Sequence, residues 1–100
     1  MDLKTLCETT KPKFRLGTLL FTQAIHRLFQ DDKIDLVPLL HRHVRGDWGE
    51  VDNEDKQLND RALNTHHRLF SAYDVAPHYR VWIITDADRS ATTVLLPEDY

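Results

Sequence analysis

The sequence has little of what marks secreted, membrane-spanning or disulfide-stapled proteins. It contains a single cysteine, Cys7, which cannot form an intramolecular disulfide and is therefore typical of a reducing cytoplasm. Residues 1–10 lack the apolar core of a signal peptide. No segment approaches the roughly 20 apolar residues that a membrane-spanning helix needs. These absences predict a soluble protein of the cytoplasm.

An excess of charge of one sign is also missing. The chain has 13 lysine and arginine residues against 16 aspartate and glutamate residues, which gives a net charge of −3. A slightly acidic protein has no general attraction to nucleic acid or to anionic membranes, so we expect neither as a direct partner. A length of 100 residues is enough for one hydrophobic core. We expect a flexible arm at residues 1–13 and one domain at residues 14–100.

The clearest pattern in the chain is a pair of strand-like runs near its end. Tyr79–Thr85 alternates along an extended chain and is rich in β-branched and aromatic residues, and residues 91–96 have similar chemistry. The polar residues 86–90 between the two runs are typical of a hairpin loop. The pattern predicts an antiparallel hairpin that contributes three residues to the core: Val81, Ile83 and Val94.

Two further strands and three helices complete the expected fold. Residues 14–21 and 68–73 alternate as strands do. Between them, three residues with good helix-capping side chains each precede a helical pattern: Thr22, Asp35 and Asp52. The order of strand, three helices and three strands predicts an α+β fold, in which an antiparallel four-stranded sheet carries the helices on one face. The last three strands form a meander, and we place the first strand beside residues 68–73.

The histidines show no spacing that is typical of a metal site. His41 and His43 lie two residues apart, so on a helix they point in different directions. His66 and His67 are adjacent, and their side chains also diverge. The sequence has no HExxH pattern and no paired cysteine and histidine spacing. We therefore expect no metal, no cofactor and no catalytic residue.

The hairpin loop concentrates charge in three candidate binding residues, Asp86, Asp88 and Arg89. The loop can be a recognition site, or part of a catalytic site with Ser90, the threonines that follow and a histidine. Alternatively, the aspartates and Ser90 bond to nearby backbone and shape the turn while Arg89 pairs with an acid, which is the commoner arrangement. Nothing in the sequence places a base beside Ser90, so no catalytic triad is predicted.

Trp48 is the fourth candidate binding residue, because it stands between two glycines, Gly46 and Gly49. An exposed tryptophan in such a connector can anchor a partner protein, since tryptophan is enriched at interface hot spots. The alternative is a buried side chain that seats the connector on the core, and this is the commoner role.

Three stretches, GDWGEVDNEDKQLND, RLFSAY and VWIITDADRSATTVLLPEDY, resemble a family of small proteins borne on bacterial plasmids and other mobile elements. The similarity extends over residues 14–100. Some members are labelled as the M subunit of a type I restriction enzyme, but this chain is too short for a methyltransferase domain and has neither a Gly-rich cofactor loop nor a methylase tetrapeptide. The resemblance implies an accessory role on a mobile element and assigns no catalytic residues.

Two classes of function follow from these observations. The first is a non-enzymatic protein that binds a host or plasmid protein, with inhibition or regulation of a host defence system, of an anti-restriction or anti-CRISPR kind, as its expected role. The sequence does not decide whether a protein of this first class forms a homodimer. The second is a small metal-independent ribonuclease that uses residues 86–93 together with a histidine. We favour the first class because such ribonucleases gain affinity from a basic groove, whereas the pI of this chain is about 6.0.

Overall fold

A computed structural model describes residues 12–75 and 78–100 of the chain. These residues form seven regular elements and a final 3-10 helix, in the order β1 (Thr18–Phe21), α1 (Gln23–Gln30), α2 (Leu36–Val44), α3 (Asn53–Thr65), β2 (Leu69–Val75), β3 (Tyr79–Thr85), β4 (Ala91–Leu95) and the 3-10 helix (Pro97–Asp99). Most of the predicted N-terminal arm, up to residue 11, lies outside the described residues. No helix among the described residues is long and apolar enough to cross a membrane.

The sheet is mixed, so the prediction of a purely antiparallel sheet is wrong. Its strand order is β1-β4-β3-β2, with the predicted antiparallel meander of β2, β3 and β4. β1 pairs with β4 in parallel, at the edge opposite to the one that we predicted beside β2. Hydrogen bonds from Thr18 N to Ser90 O and from Thr22 N to Val94 O hold it there. The partner of a strand depends on such distant contacts, which its own alternation does not encode.

β1 is also shorter than the predicted strand, because Gly17 interrupts the extended run. Gly17 has a φ of +66°, in the left-handed region that favours glycine. Its backbone passes against the hairpin loop so closely that an added Cβ would overlap the carbonyl groups of Arg89 and Ser90. Glycine at this position therefore lets the chain turn into the sheet directly beside β4.

The main core lies on one face of the sheet. Val81, Ile83 and Val94 are fully buried, as predicted. They pack with Tyr73 against residues of α1, α2 and the loop between these helices: Ile25, Ile34, Leu36 and Leu39. The predicted helix caps are also confirmed, because side-chain oxygens of Thr22, Asp35 and Asp52 accept hydrogen bonds from the first-turn amides of the three helices.

α3 lies along the outer edge of β2 and not with the other helices on the core face. The side-chain amide of Asn59 donates to Phe70 O at 2.6 Å and accepts from Phe70 N at 3.1 Å, so it takes the place of a neighbouring strand. Two residues further along β2, Ala72 N donates to Trp48 O at 3.2 Å and Glu50 N donates to Ala72 O at 2.6 Å. These contacts close most of this edge of the sheet to other strands.

Candidate functional site

A buried row of hydrogen-bonding side chains crosses the sheet beneath α2. His43 lies with Nδ1 at 2.5 Å from Ser71 Oγ and with Nε2 at 2.8 Å from Thr85 Oγ1. The row continues from Thr85 Oγ1 to Thr92 Oγ1 at 2.8 Å and ends at the carbonyl oxygen of Leu16, at 2.7 Å from Thr92 Oγ1. It links α2 to three strands and to the segment that leads into β1.

The end of this row sets the direction of every hydrogen bond in it. A carbonyl oxygen can only accept, so the hydroxyl of Thr92 donates to Leu16 O. Thr85 must then donate to Thr92, and its oxygen accepts from the Nε2–H of His43. The unprotonated Nδ1 of His43 is left to accept from the hydroxyl of Ser71. His43 is therefore the neutral Nε2–H tautomer.

A serine that donates to a histidine is also the arrangement of a nucleophile and its base, but this pair is not accessible. His43, Ser71, Thr85 and Thr92 are each 0% exposed. Burial, assisted by the positive charge of Arg89, lowers the pKa of His43 to about 3, so the imidazole is neutral at physiological pH. The row is a structural link in the core. The signal that we missed is the set of inward-facing polar residues on β2, β3 and β4.

The other histidines do not come together with His43. His66 adopts a left-handed conformation at the end of α3, with a φ of 55°. His67 is exposed, and its Nδ1 lies at 2.9 Å from the hydroxyl of Thr65. In the segments 12–75 and 78–100, no three histidine, cysteine or acidic side chains lie close enough together to hold a metal ion.

Arg89, a predicted binding residue, joins the hairpin loop to the end of α3. Its Nη2 donates to Ala62 O at 2.7 Å, and its Nη1 donates to His67 O at 2.7 Å. Nη1 is also within reach of two carbonyl oxygens of its own loop, those of Asp86 and Ala87. The carbonyl of Ala62 is one of the last four of the helix, which have no partner within it. Arg89 thus caps α3 from another element, and it binds carbonyl oxygens rather than the acid that we expected.

The two aspartates of the hairpin loop differ in their contacts. Asp88 Oδ1 accepts from Ser90 N at 3.0 Å. Hydrogen bonds from the side chain and backbone of Ser90 hold the pKa of Asp88 below its usual value. The side chain of Asp86 is exposed, while its backbone amide donates to Ala91 O at 2.9 Å. Both aspartates are exposed, and Asp88 in addition shapes the turn.

Trp48 is a buried core residue, so the exposed-anchor interpretation of this residue is wrong. Its Nε1 donates to Asp60 Oδ1 at 2.9 Å. Its ring stacks on Phe14 with centroids 6.2 Å apart and belongs to a second apolar cluster that includes Ala62 and Leu69. The tryptophan fills the space between α3, β2 and the segment before β1, and only 3% of its surface is exposed.

A concave surface forms a groove between α3 and the face of the sheet opposite to the main core. Its volume is about 610 Å³. Phe70, Trp82 and Ile84 line it from β2 and β3, because they alternate with the core residues and so point to the other face. Trp82 packs edge-to-face against Phe70, at 5.0 Å between centroids, and against Tyr100, at 5.7 Å. Leu58 of α3 also lines the groove, which we call the α3 groove.

The α3 groove carries more basic than acidic side chains, although the protein as a whole is acidic. Two arginines, Arg61 and Arg68, line it together with a single carboxylate side chain, that of Asp55. Arg68 donates to the hydroxyl of Tyr100 at 3.2 Å. Within the described residues the ion pairs are Arg42–Asp47 and Arg80–Asp74, so neither arginine of the groove has a carboxylate partner there. Sequence analysis missed this site because its residues come from separate segments.

Comparisons of the chain with protein-family models, with curated proteins and with solved structures find no significant match. The proposals that follow therefore rest on the residues of this chain and their geometry.

Proposed function

We propose that this chain is a non-enzymatic binding protein that docks a segment of a partner protein in the α3 groove. The observation that carries the proposal is the exposed apolar lining of the groove, in which Leu58 is 51% exposed and Tyr100 is 72% exposed. When a partner covers large apolar side chains in a concave surface, their removal from water lowers the free energy of the complex. Tryptophan, tyrosine and arginine, which all line this groove, are the residues most enriched at interface hot spots.

The charges of the groove favour an acidic partner segment. Arg61 and Arg68 offer two guanidinium groups that have no carboxylate partner among the described residues. Guanidinium groups bind carboxylates in a bidentate geometry, and complementary charges speed association and select against wrong partners. We therefore propose an occupant with an apolar or aromatic anchor flanked by aspartate or glutamate residues.

The ribonuclease alternative has less support than the binding function. It needs Arg89, Ser90, Thr92 and a histidine to face a substrate together. Arg89 is engaged with backbone carbonyls, and Thr92 is fully buried in the hydrogen-bonded row of His43. Two of the groups that would carry the reaction are therefore engaged in contacts within the protein, whereas Ser90 is exposed.

We also propose a biological setting for the binding function. The resemblance of residues 14–100 to a plasmid-borne family supports an accessory protein of a mobile element that acts in the cytoplasm of its host. Inhibition or regulation of a host defence system is the role that we propose, because such a role needs only protein contacts and no catalytic site. The partner is accordingly a host or plasmid protein that presents an acidic, apolar-anchored segment.

A peptide display experiment tests the docking site. Peptides are selected from a random library on the wild-type protein, and their affinities are measured for two matched variants. Leu58→Glu places a negative charge in the groove, whereas Val37→Glu places the same charge on α2 at a side chain that is 69% exposed outside the groove. We expect the selected peptides to be rich in acidic and apolar residues, and to bind Leu58→Glu at least about tenfold more weakly, which corresponds to about 1.4 kcal/mol.

The control variant decides the interpretation of that experiment. Val37→Glu should bind the selected peptides as the wild type does. Equal affinity of wild type and Leu58→Glu, or a library that yields no binding peptide, would show that the groove is not a docking site for such segments.

A further inference from the structure

The two edges of the sheet differ in how they are protected. The edge at β2 is occupied by the side chain of Asn59 and by the backbone of residues 48–50. The edge at β1 has no further strand beside it among the described residues. Thr18 N donates to the carbonyl of Ser90, directly before β4, and Thr22 N donates to the carbonyl of Val94 in β4. By alternation, the backbone groups of Leu19 and Phe21 therefore point outward, away from the sheet.

The side chains of β1 do not protect this edge of the sheet against pairing with another strand. The strand reads Thr-Leu-Leu-Phe and contains no charge and no proline, which are the usual protections of an exposed edge. Leu20 is 48% exposed and Phe21 is 43% exposed. An uncharged apolar edge with free backbone donors and acceptors is a template for another strand.

We propose that β1 pairs with β1 of a second copy of this chain, antiparallel and about a two-fold axis at Leu20. In that register Leu19 lies opposite the partner's Phe21, and the two residues exchange both of their outward backbone hydrogen bonds. Phe21 and the partner's Leu19 do the same on the other side of the axis. The two sheets become one continuous sheet.

A second copy fits this edge because the pairing is self-complementary. Leu20 meets the partner's Leu20 in a non-hydrogen-bonded pair, in which the Cα atoms are only about 4.5 Å apart. Across the axis, Phe21 packs beside the partner's Leu19 on the other face of the sheet. Both exposed apolar residues of the strand, Leu20 and Phe21, are therefore covered by the same strand of the copy. The pairing also joins uncharged strands, so no like charges are brought together within it.

The dimer leaves the α3 groove free, so this inference does not depend on the proposed function. β1 and the groove lie at opposite edges of the sheet. A pair of copies would present two grooves at the far ends of the joined sheet, and a partner with two binding segments would then gain avidity. A strand of four residues forms a small interface, so we expect a dimer that dissociates on dilution.

Disulfide trapping tests the register of the proposed pair. In a Cys7→Ser background, Leu20→Cys brings two thiols together at the two-fold axis, within the separation that a disulfide requires. Val37→Cys is the matched control, because it places an exposed thiol on α2. With oxidised glutathione as the oxidant, we expect Leu20→Cys to form covalent dimers at least tenfold faster than Val37→Cys. Equal or slower cross-linking of Leu20→Cys would overturn the proposal.

Sedimentation equilibrium over a range of concentrations gives an independent reading on the unmodified chain. The wild type should pass from monomer to dimer as its concentration rises. Leu20→Lys should remain a monomer, because it places two positive charges at the axis, whereas Val37→Lys should dimerise as the wild type does. A wild type that stays monomeric, or a Leu20→Lys variant that dimerises, would refute the pairing of β1.

Discussion

At the scale of single residues, His43 shows what a fully buried titratable group contributes to this fold. Both of its ring nitrogens have partners, Ser71 and Thr85, so the neutral imidazole is well accommodated. The protonated form would have to lose the hydrogen bond that Nδ1 accepts, and it would carry a charge without water around it. The side chain therefore stabilises the protein only while it is neutral.

This predicts an acid sensitivity that originates at His43. The pKa of this histidine is about 3 in the folded protein against 6.5 for an exposed histidine. Between these values the unfolded chain binds a proton that the folded protein does not, so the free energy of unfolding decreases as the pH falls. The expected slope from this residue is about 1.4 kcal/mol per pH unit below pH 6. Urea unfolding between neutral pH and pH 4 measures it.

The contribution of His43 is obtained by comparison with two variants. His43→Gln removes the titrating group and should show a shallower pH dependence than the wild type, although its stability at neutral pH is lower. His41→Gln removes an exposed histidine and should retain the wild-type slope. Identical slopes for wild type and His43→Gln would contradict the assignment of a buried neutral imidazole.

At the scale of secondary-structure elements, α3 is held at three points by different means. Its first turn is capped by Asp52, which accepts from Asp55 N at 2.8 Å. Asn59 in its middle replaces a strand neighbour for β2. The guanidinium of Arg89 binds Ala62 O near its last turn. The helix has few buried residues of its own, so these polar contacts position it and thereby form one wall of the α3 groove.

Arg89→Ala should therefore destabilise the end of α3. Sequence analysis placed Arg89 among the candidate binding residues. Its hydrogen bonds to Ala62 O and His67 O lead us instead to expect a loss of roughly 1–3 kcal/mol in the free energy of unfolding. Thermal and urea unfolding measure the loss, and hydrogen exchange should show faster exchange in the last turn of α3.

Arg89→Lys is the matched variant for this prediction. Lysine keeps the charge but cannot place two donors in the fixed geometry that reaches both carbonyls, so it should recover only a small part of the lost stability. If Arg89→Ala melts as the wild type does, the guanidinium does not hold α3, and the loop regains its interpretation as a recognition site.

At the scale of the whole molecule, the two faces of the sheet take part in different surfaces. One face carries the main core under α1 and α2, and the other contributes Phe70, Trp82 and Ile84 to the α3 groove. β3 lies in the interior of the sheet and supplies residues to both faces. A change on the core face of this strand should therefore alter stability, and a change at the groove should alter the binding that we propose.

Ile83→Ala tests the part of this separation that concerns stability. Ile83 is fully buried and packs in the main core, so its truncation should lower the free energy of unfolding by roughly 2–5 kcal/mol through lost burial and the cavity left behind. Urea unfolding measures the change. Val37→Ala, at an exposed apolar residue, should be close to neutral, and an equally small effect of Ile83→Ala would show that β3 does not anchor the core.

The features that the sequence alone determined are the local ones. Thr22, Asp35 and Asp52 cap their helices because a cap involves only the next few amides of the same segment. The alternation of Tyr79–Thr85 predicted the buried residues of β3 because successive side chains of a strand point to opposite faces. Neither kind of feature requires knowledge of a distant partner.

The tertiary structure decided everything that joins distant segments. The parallel pairing of β1 with β4 is held by contacts such as Thr92 with Leu16, which are 76 residues apart in sequence. The partners of Arg89 are carbonyl groups, which every residue carries, so no residue type marks them in advance. The groove combines side chains of α3, β2 and β3 with Tyr100. Which of these surfaces meet depends on how the elements pack together, and only the folded chain contains that information.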